Sequence, residues 1–85
     1  MEKYRILIKP SASKELGSIT KTDLKRIVKC IQNLSGIPRP SGCEKLSGGD
    51  RYRERQGPYR LVYSIDDKSR EVLIVKVGHR REVYG

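Results

Sequence analysis

Eighty-five residues with 35% apolar content, five Tyr and neither Trp nor Phe support one modest core of Leu, Ile, Val and Tyr, and exclude a second domain. Nineteen Lys and Arg against ten Asp and Glu leave a net charge of +9, which favours a polyanion or an acidic protein as partner. No apolar run approaches the roughly 20 residues of a bilayer span and no signal peptide precedes Tyr4, so no membrane partner and a reducing cytoplasm are expected. Cys30 and Cys43 form no metal-ligand spacing with the single histidine, so neither metal nor cofactor is expected. Cys30 falls in a helical pattern and should pack, Cys43 falls in a loop, and the pattern gives a disulfide between them little support.

Tyr4-Arg5-Ile6-Leu7-Ile8 has the composition of a strand, which Pro10 ends. Ser11–Leu16 fits a short helix, with Ser11 as its cap and Gly17 at its far end. A longer helix follows. Thr20 caps it, Asp23 sits three residues on, and Leu24, Ile27, Val28, Ile31 and Leu34 recur at helical spacing until Gly36 and Pro38 stop it. Lys21, Lys25, Arg26 and Lys29 occupy the opposite face and are read as solvated.

Residues 36–50, rich in Pro and Gly, read as a long irregular connection anchored by Leu46. A loop of this length in so small a domain commonly has a function. Three strands should follow, Tyr52–Gln56, Tyr59–Ile65 and Val72–Val77, the last two separated by the turn Asp66-Asp67-Lys68-Ser69.

The turn at Gly57-Pro58 sets the register. Gly can take the positive φ of the first central position of a type II′ turn, and Pro suits the second, whose N–H is not needed. Gln56 then faces Tyr59, Arg55 faces Arg60 and Arg53 faces Val62. Arg53, Arg55 and Arg60 share one face, while Tyr52, Tyr59, Leu61 and Tyr63 point the other way. A three-residue loop would instead set Arg60 opposite Glu54 and split the cluster. Like charges directly opposite one another cost stability, so their presence fits an anion held between them.

The C-terminal Gly78-His79-Arg80-Arg81-Glu82-Val83-Tyr84-Gly85 adds an imidazole, two guanidiniums and a phenol where the last strand emerges. His79 is the only histidine, hence the only side chain whose unperturbed pKa lies near neutrality. With Arg51, Arg53, Arg55 and Arg60 on a neighbouring strand pair, these residues would gather what gripping a phosphodiester requires: guanidinium forks for phosphate and a ring on which an unstacked base can lie.

Tyr52-Arg53-Glu54-Arg55, Tyr59-Arg60-Leu61-Val62-Tyr63 and Val77-Gly78-His79-Arg80-Arg81-Glu82-Val83-Tyr84 closely resemble the RelE branch of the RelE/ParE toxin superfamily. The resemblance runs through the whole chain and implies one RelE-like domain over residues 1–85. Its fold would be α+β: an N-terminal strand and two helices packed on one face of a small, largely antiparallel four-stranded sheet. It further implies a type II toxin that enters the ribosomal A site and cleaves mRNA without a metal, the RNA's 2′-hydroxyl attacking the adjacent phosphorus. Such chemistry needs a base near that hydroxyl, cations around the phosphorane and an acid for the leaving oxygen.

By the same resemblance, Arg53 and Arg55 stand where relatives place basic residues, often lysines. Arg60 matches the arginine that stabilises the phosphorane, Arg80 the general acid or charge stabiliser, and Tyr84 the tyrosine that stacks on the substrate base. The spacing from Gly78 to Tyr84 is shorter than in some members, which leaves Arg80 and Arg81 interchangeable. Arg55 replaces a lysine proposed as base, yet guanidinium keeps its proton near neutral pH, so His79 is expected to share the proton transfer. Arg51, Arg53, Arg55, Arg60 and Arg81 are the expected RNA-binding set. The implied partners are the ribosome, mRNA and a cognate antitoxin, acidic and partly disordered, through which alone operator DNA would be bound. Two other functions are compatible with the basic character: a gyrase-poisoning toxin of the ParE type, and an RNA-binding protein without chemistry.

Overall fold

The structure, a computed structural model, describes residues 3–46 and 49–79. Strand β1 (Arg5–Ile8) is followed by helices α1 (Pro10–Gly17) and α2 (Lys21–Gly36), a short strand β2 (Glu44–Lys45), then β3 (Arg51–Gln56), β4 (Tyr59–Asp66) and β5 (Glu71–His79). The strands form one sheet in the order β1-β5-β4-β3-β2. β1 runs parallel to β5, and the other pairs are antiparallel. Both helices lie between β1 and β2 in the chain, and the apolar residues they bury face the same side of the sheet. This is the expected α+β arrangement with one correction: the sheet has five strands, not four. β2 arises within the connection read as irregular, and its two residues are too few to show a period. It forms where the edge of β3 offers free backbone groups, and the Leu46 N–H donates to the Arg51 carbonyl at 2.9 Å beside it.

Helix α1 starts earlier than the Ser11 cap implied. Lys9 is the N-cap and Pro10 opens the first turn, where its missing N–H costs nothing and its fixed φ is already helical. Thr20 does precede α2 as its N-cap, but its hydroxyl donates to Asp23 Oδ2 at 3.1 Å instead of accepting from the backbone. α2 buries Ile27, Ile31 and Leu34 as the spacing required, with Cys30 completing the stripe; Val28 is 38% exposed at its margin. Against them lie Leu61, Tyr63, Ile65, Val72, Ile74 and Val77 from β4 and β5. Both thiols are free. The Cys30 thiol donates to Glu54 Oε1 at 2.7 Å, and burial, then this bond, push its pKa up to about 12. It is therefore a packing residue, with almost no thiolate near neutrality.

The strand β5 is not regular. Val62 pairs with Lys76 but the next residue, Tyr63, pairs with Ile74, so Val75 is an extra residue in a bulge. One inserted residue reverses the side-chain alternation beyond it. Val72 and Ile74 face the helices on one side of the bulge, and Val77 does so on the other, buried to 1% exposure.

The long connection is pinned at its start. Arg39 donates from Nη1 and Nη2 to the two Asp67 carboxylate oxygens at 3.1 and 2.8 Å, and from Nε to the Tyr52 hydroxyl at 3.0 Å. The Tyr4 hydroxyl donates to the same carboxylate at 2.6 Å, tying the N-terminal strand to the β4–β5 turn. Arg39, then Tyr4, hold the Asp67 carboxyl below its usual range, and the Ser69 and Lys68 backbone N–H groups do the same for Asp66. Folded-state pKa values below the unfolded ones stabilise the protein above the unfolded carboxylate pKa, about 4, and this is lost as pH falls through the folded values. Asp67→Asn should therefore lower the urea midpoint at neutral pH, with its deficit against the wild type shrinking as pH falls below the carboxylate range. A deficit independent of pH would show that the carboxylate charge is not what matters.

Candidate active site

The β3–β4 hairpin has the register expected from its turn. Gly57 takes φ 61°, which suits the first central position, and Gln56 pairs with Tyr59, Arg55 with Arg60 and Arg53 with Val62. Alternation then places Arg51, Arg53, Arg55 and Arg60 on the open face of the sheet, away from the helices. Tyr52, Glu54, Tyr59, Leu61 and Tyr63 take the helix side, where the Tyr52 and Tyr63 rings stack at 6.0 Å.

The arginines also have a structural function. Val62, flanked by Arg53 and Lys76 in the ladder, is only 6% exposed although it lies on the face without helices. Long cationic side chains can shield an apolar residue with their stems while their heads stay polar. The Arg53 side chain is 16% exposed, and its Nε is buried with no hydrogen-bond partner among the described residues. Gly78 pairs with Arg60 and sets no side chain beside it. Lys76 is engaged by Glu15 at 3.3 Å, and the other oxygen of Glu15 accepts the Val77 N–H at 3.0 Å. The face so formed holds three guanidiniums in adjacent ladder positions, with two directly opposite each other, which suits a phosphodiester whose negative charge increases during reaction.

A match to the family described as "ParE toxin of type II toxin-antitoxin system, parDE" runs over residues 6–84. The chain belongs to that family. Among relatives, it is 46% identical to toxin RelG of Mycobacterium tuberculosis over 85 residues, 95% of each chain. It is 28% identical to the putative toxin RelE1 of Methanocaldococcus jannaschii, over 96% of each. The toxin fold in the archaeal RelE–RelB complex from Pyrococcus horikoshii superposes with a TM-score of 0.84 at 31% identity, covering 94% of this chain and 98% of that one. The RelBE2 toxin–antitoxin complex from M. tuberculosis gives 0.82 at 28% identity, covering 92% and 99%. These relatives place the chain in the RelE branch of the superfamily.

In this RelE-branch toxin the imidazole does not join the arginines. His79 pairs with Tyr59 in the β4–β5 ladder, and the two rings meet edge to face at 5.9 Å and 75°. Both border a recess of about 250 Å³ with Glu15, Ser18 and Ile19 of the α1 region. The expectation of one surface holding His79 with Arg53, Arg55 and Arg60 is thus corrected. The cause is the bulge at Val75, which turns Val77 and His79 together to the helix side. Arg80, Arg81 and Tyr84 lie outside the described residues. One member of the arginine face had no sequence signal: Glu44, placed across from Arg53 by the β2–β3 pairing.

Proposed function

We propose that this toxin is a ribosome-dependent endoribonuclease that cleaves mRNA in the A site. The RNA's 2′-hydroxyl gives its proton to water and attacks the adjacent phosphorus, and the bond to the 5′ oxygen breaks as that oxygen takes a proton from water, leaving a 2′,3′-cyclic phosphate and a 5′-hydroxyl. The observation that carries this reading is the cross-strand pair Arg55–Arg60 with Arg53 alongside it on the open face. Arg60 would neutralise the phosphorane, while Arg53 and Arg55 act as fixed cations. Arg51 extends the basic face along the RNA, and by the family resemblance Arg81 belongs to the RNA-binding set. By the family resemblance, Arg80 supports the leaving oxygen and Tyr84 stacks on the base. The scheme assigns no step to a metal.

The solved relatives from P. horikoshii and M. tuberculosis are toxin–antitoxin complexes, and this likeness supports a cognate antitoxin here, one whose acidic segment offsets the +9 charge. Operator DNA would be reached only through that complex, and the working place would be the cytoplasm, where ribosomes are. The test is purified protein on programmed ribosomes, with the ends of the cleaved message identified. Cyclic phosphate and 5′-hydroxyl ends at the A-site codon are expected. Intact mRNA with inhibited gyrase would indicate ParE-type action, and intact mRNA with retained ribosome binding an RNA-binding protein without chemistry.

His79, on the helix side against Tyr59, has no proton-transfer role in this scheme. His79→Gln should cost less than the roughly 100-fold that loss of a general acid or base costs. Measured across pH, the single-turnover rate should keep the wild-type profile. A titration near neutrality that disappears in the variant would restore the imidazole to the chemistry.

A further inference from the structure

We infer that Glu44 is a positioning residue that holds the Arg53 guanidinium in its working orientation. The inference rests on the arginine face being the cleavage site. The β2–β3 register sets Glu44 directly across from Arg53, and Arg53 Nη2 donates to Glu44 Oε2 at 3.2 Å. The two ends of the pair are unequal: the Arg53 side chain is 16% exposed and that of Glu44 53%. With Nε buried and Nη2 held, the Arg53 head is fixed before any RNA arrives.

An arginine free to rotate would lose rotamer freedom on meeting the substrate, whereas one already held does not, which is what preorganisation contributes to rate. Glu54, the other acid next to this arginine along the sheet, lies on the helix side and accepts the Cys30 thiol, so it cannot serve. Glu44 reaches the face only because β2 adds to the sheet edge. That gives the long connection a function: it delivers a carboxylate to a surface of like charges. Arg39 anchors the segment by its bonds to Asp67 and Tyr52, and the Leu46 N–H fixes it beyond β2.

Removing a negative charge from a face that binds a polyanion should not weaken ribosome binding, so the positioning role predicts opposite movements of rate and affinity. In single-turnover cleavage on programmed ribosomes, Glu44→Gln should lower the rate at saturation by about 10-fold to 100-fold. Its ribosome affinity should be unchanged or tighter, and its thermal midpoint unchanged. Glu44→Asp, which keeps the charge, should recover part of the rate. In an Arg53→Ala background, Glu44→Gln should have no further effect, because Glu44 acts through that guanidinium.

A wild-type or faster rate in Glu44→Gln would overturn the inference, the faster rate marking Glu44 as a competitor of phosphate. Equal losses in both backgrounds would overturn it too, as would a loss matched by a fall in the thermal midpoint. Arg53→Ala cleaving at the wild-type rate would defeat the wider reading of the arginine face, whereas an impaired Arg53→Ala with normal Glu44→Gln would defeat the positioning role alone.

Discussion

Arg60→Ala should lower single-turnover cleavage of ribosome-bound mRNA by about two to three orders of magnitude, the loss found when one preorganised donor to a developing oxyanion is removed. Arg60 stands on the open face opposite Arg55 and across the ladder from Gly78. Its charge matters most where the phosphorane carries most negative charge, so the rate should fall more than ribosome affinity does. Affinity is spread over many cations, and losing one phosphate contact changes it and its salt dependence only modestly. The thermal midpoint should hold within a few degrees, because the residue adds nothing to the core on the helix side. A folded Arg60→Ala protein that cleaves normally would remove the nuclease site proposed here. One that loses ribosome binding and cleavage in equal measure would make Arg60 a docking residue.

Leu34→Ala should destabilise the fold by about 2–5 kcal/mol, the cost of deleting three buried carbons and leaving a cavity. Leu34 is 1% exposed at the C-terminal end of α2, packed into the cluster that includes Leu61, Tyr63 and Ile74. A domain of this size has only about 5–15 kcal/mol in total and loses about 4–8 °C of midpoint per kcal/mol, so the change should be plain in a melt. Val28→Ala is the matched control: the same helix, but a side chain 38% exposed and outside the core. It should move the midpoint far less. Equal losses in the two variants would mean that burial does not distinguish the two positions, since Ala is the better helix former at both.

The arginine hairpin was legible in the sequence because every determinant of it is local. A Gly-Pro pair fixes the turn, the turn fixes the register, and strict alternation assigns each side chain to a face. The shared face of Arg53, Arg55 and Arg60 could be read for the same reason, since three guanidiniums on one strand pair need no distant partner to form a cationic surface. The core stripe of α2 was legible from its period, and Cys30 joined it at the position helical spacing allows.

What lay beyond the sequence depended on distant contacts. Continuing the alternation of Val72 and Ile74 along β5 would set His79 beside the arginines, but the bulge at Val75 reverses it. That bulge answers a tertiary demand: it keeps Val77 in the core, and Glu15 from α1 caps the Val77 N–H. β2 likewise has no signal of its own, because two residues become a strand only when β3 is already there to pair with. The local pattern determined which charges share a face of this toxin, and packing between distant segments decided which side the histidine takes and which carboxylate meets Arg53.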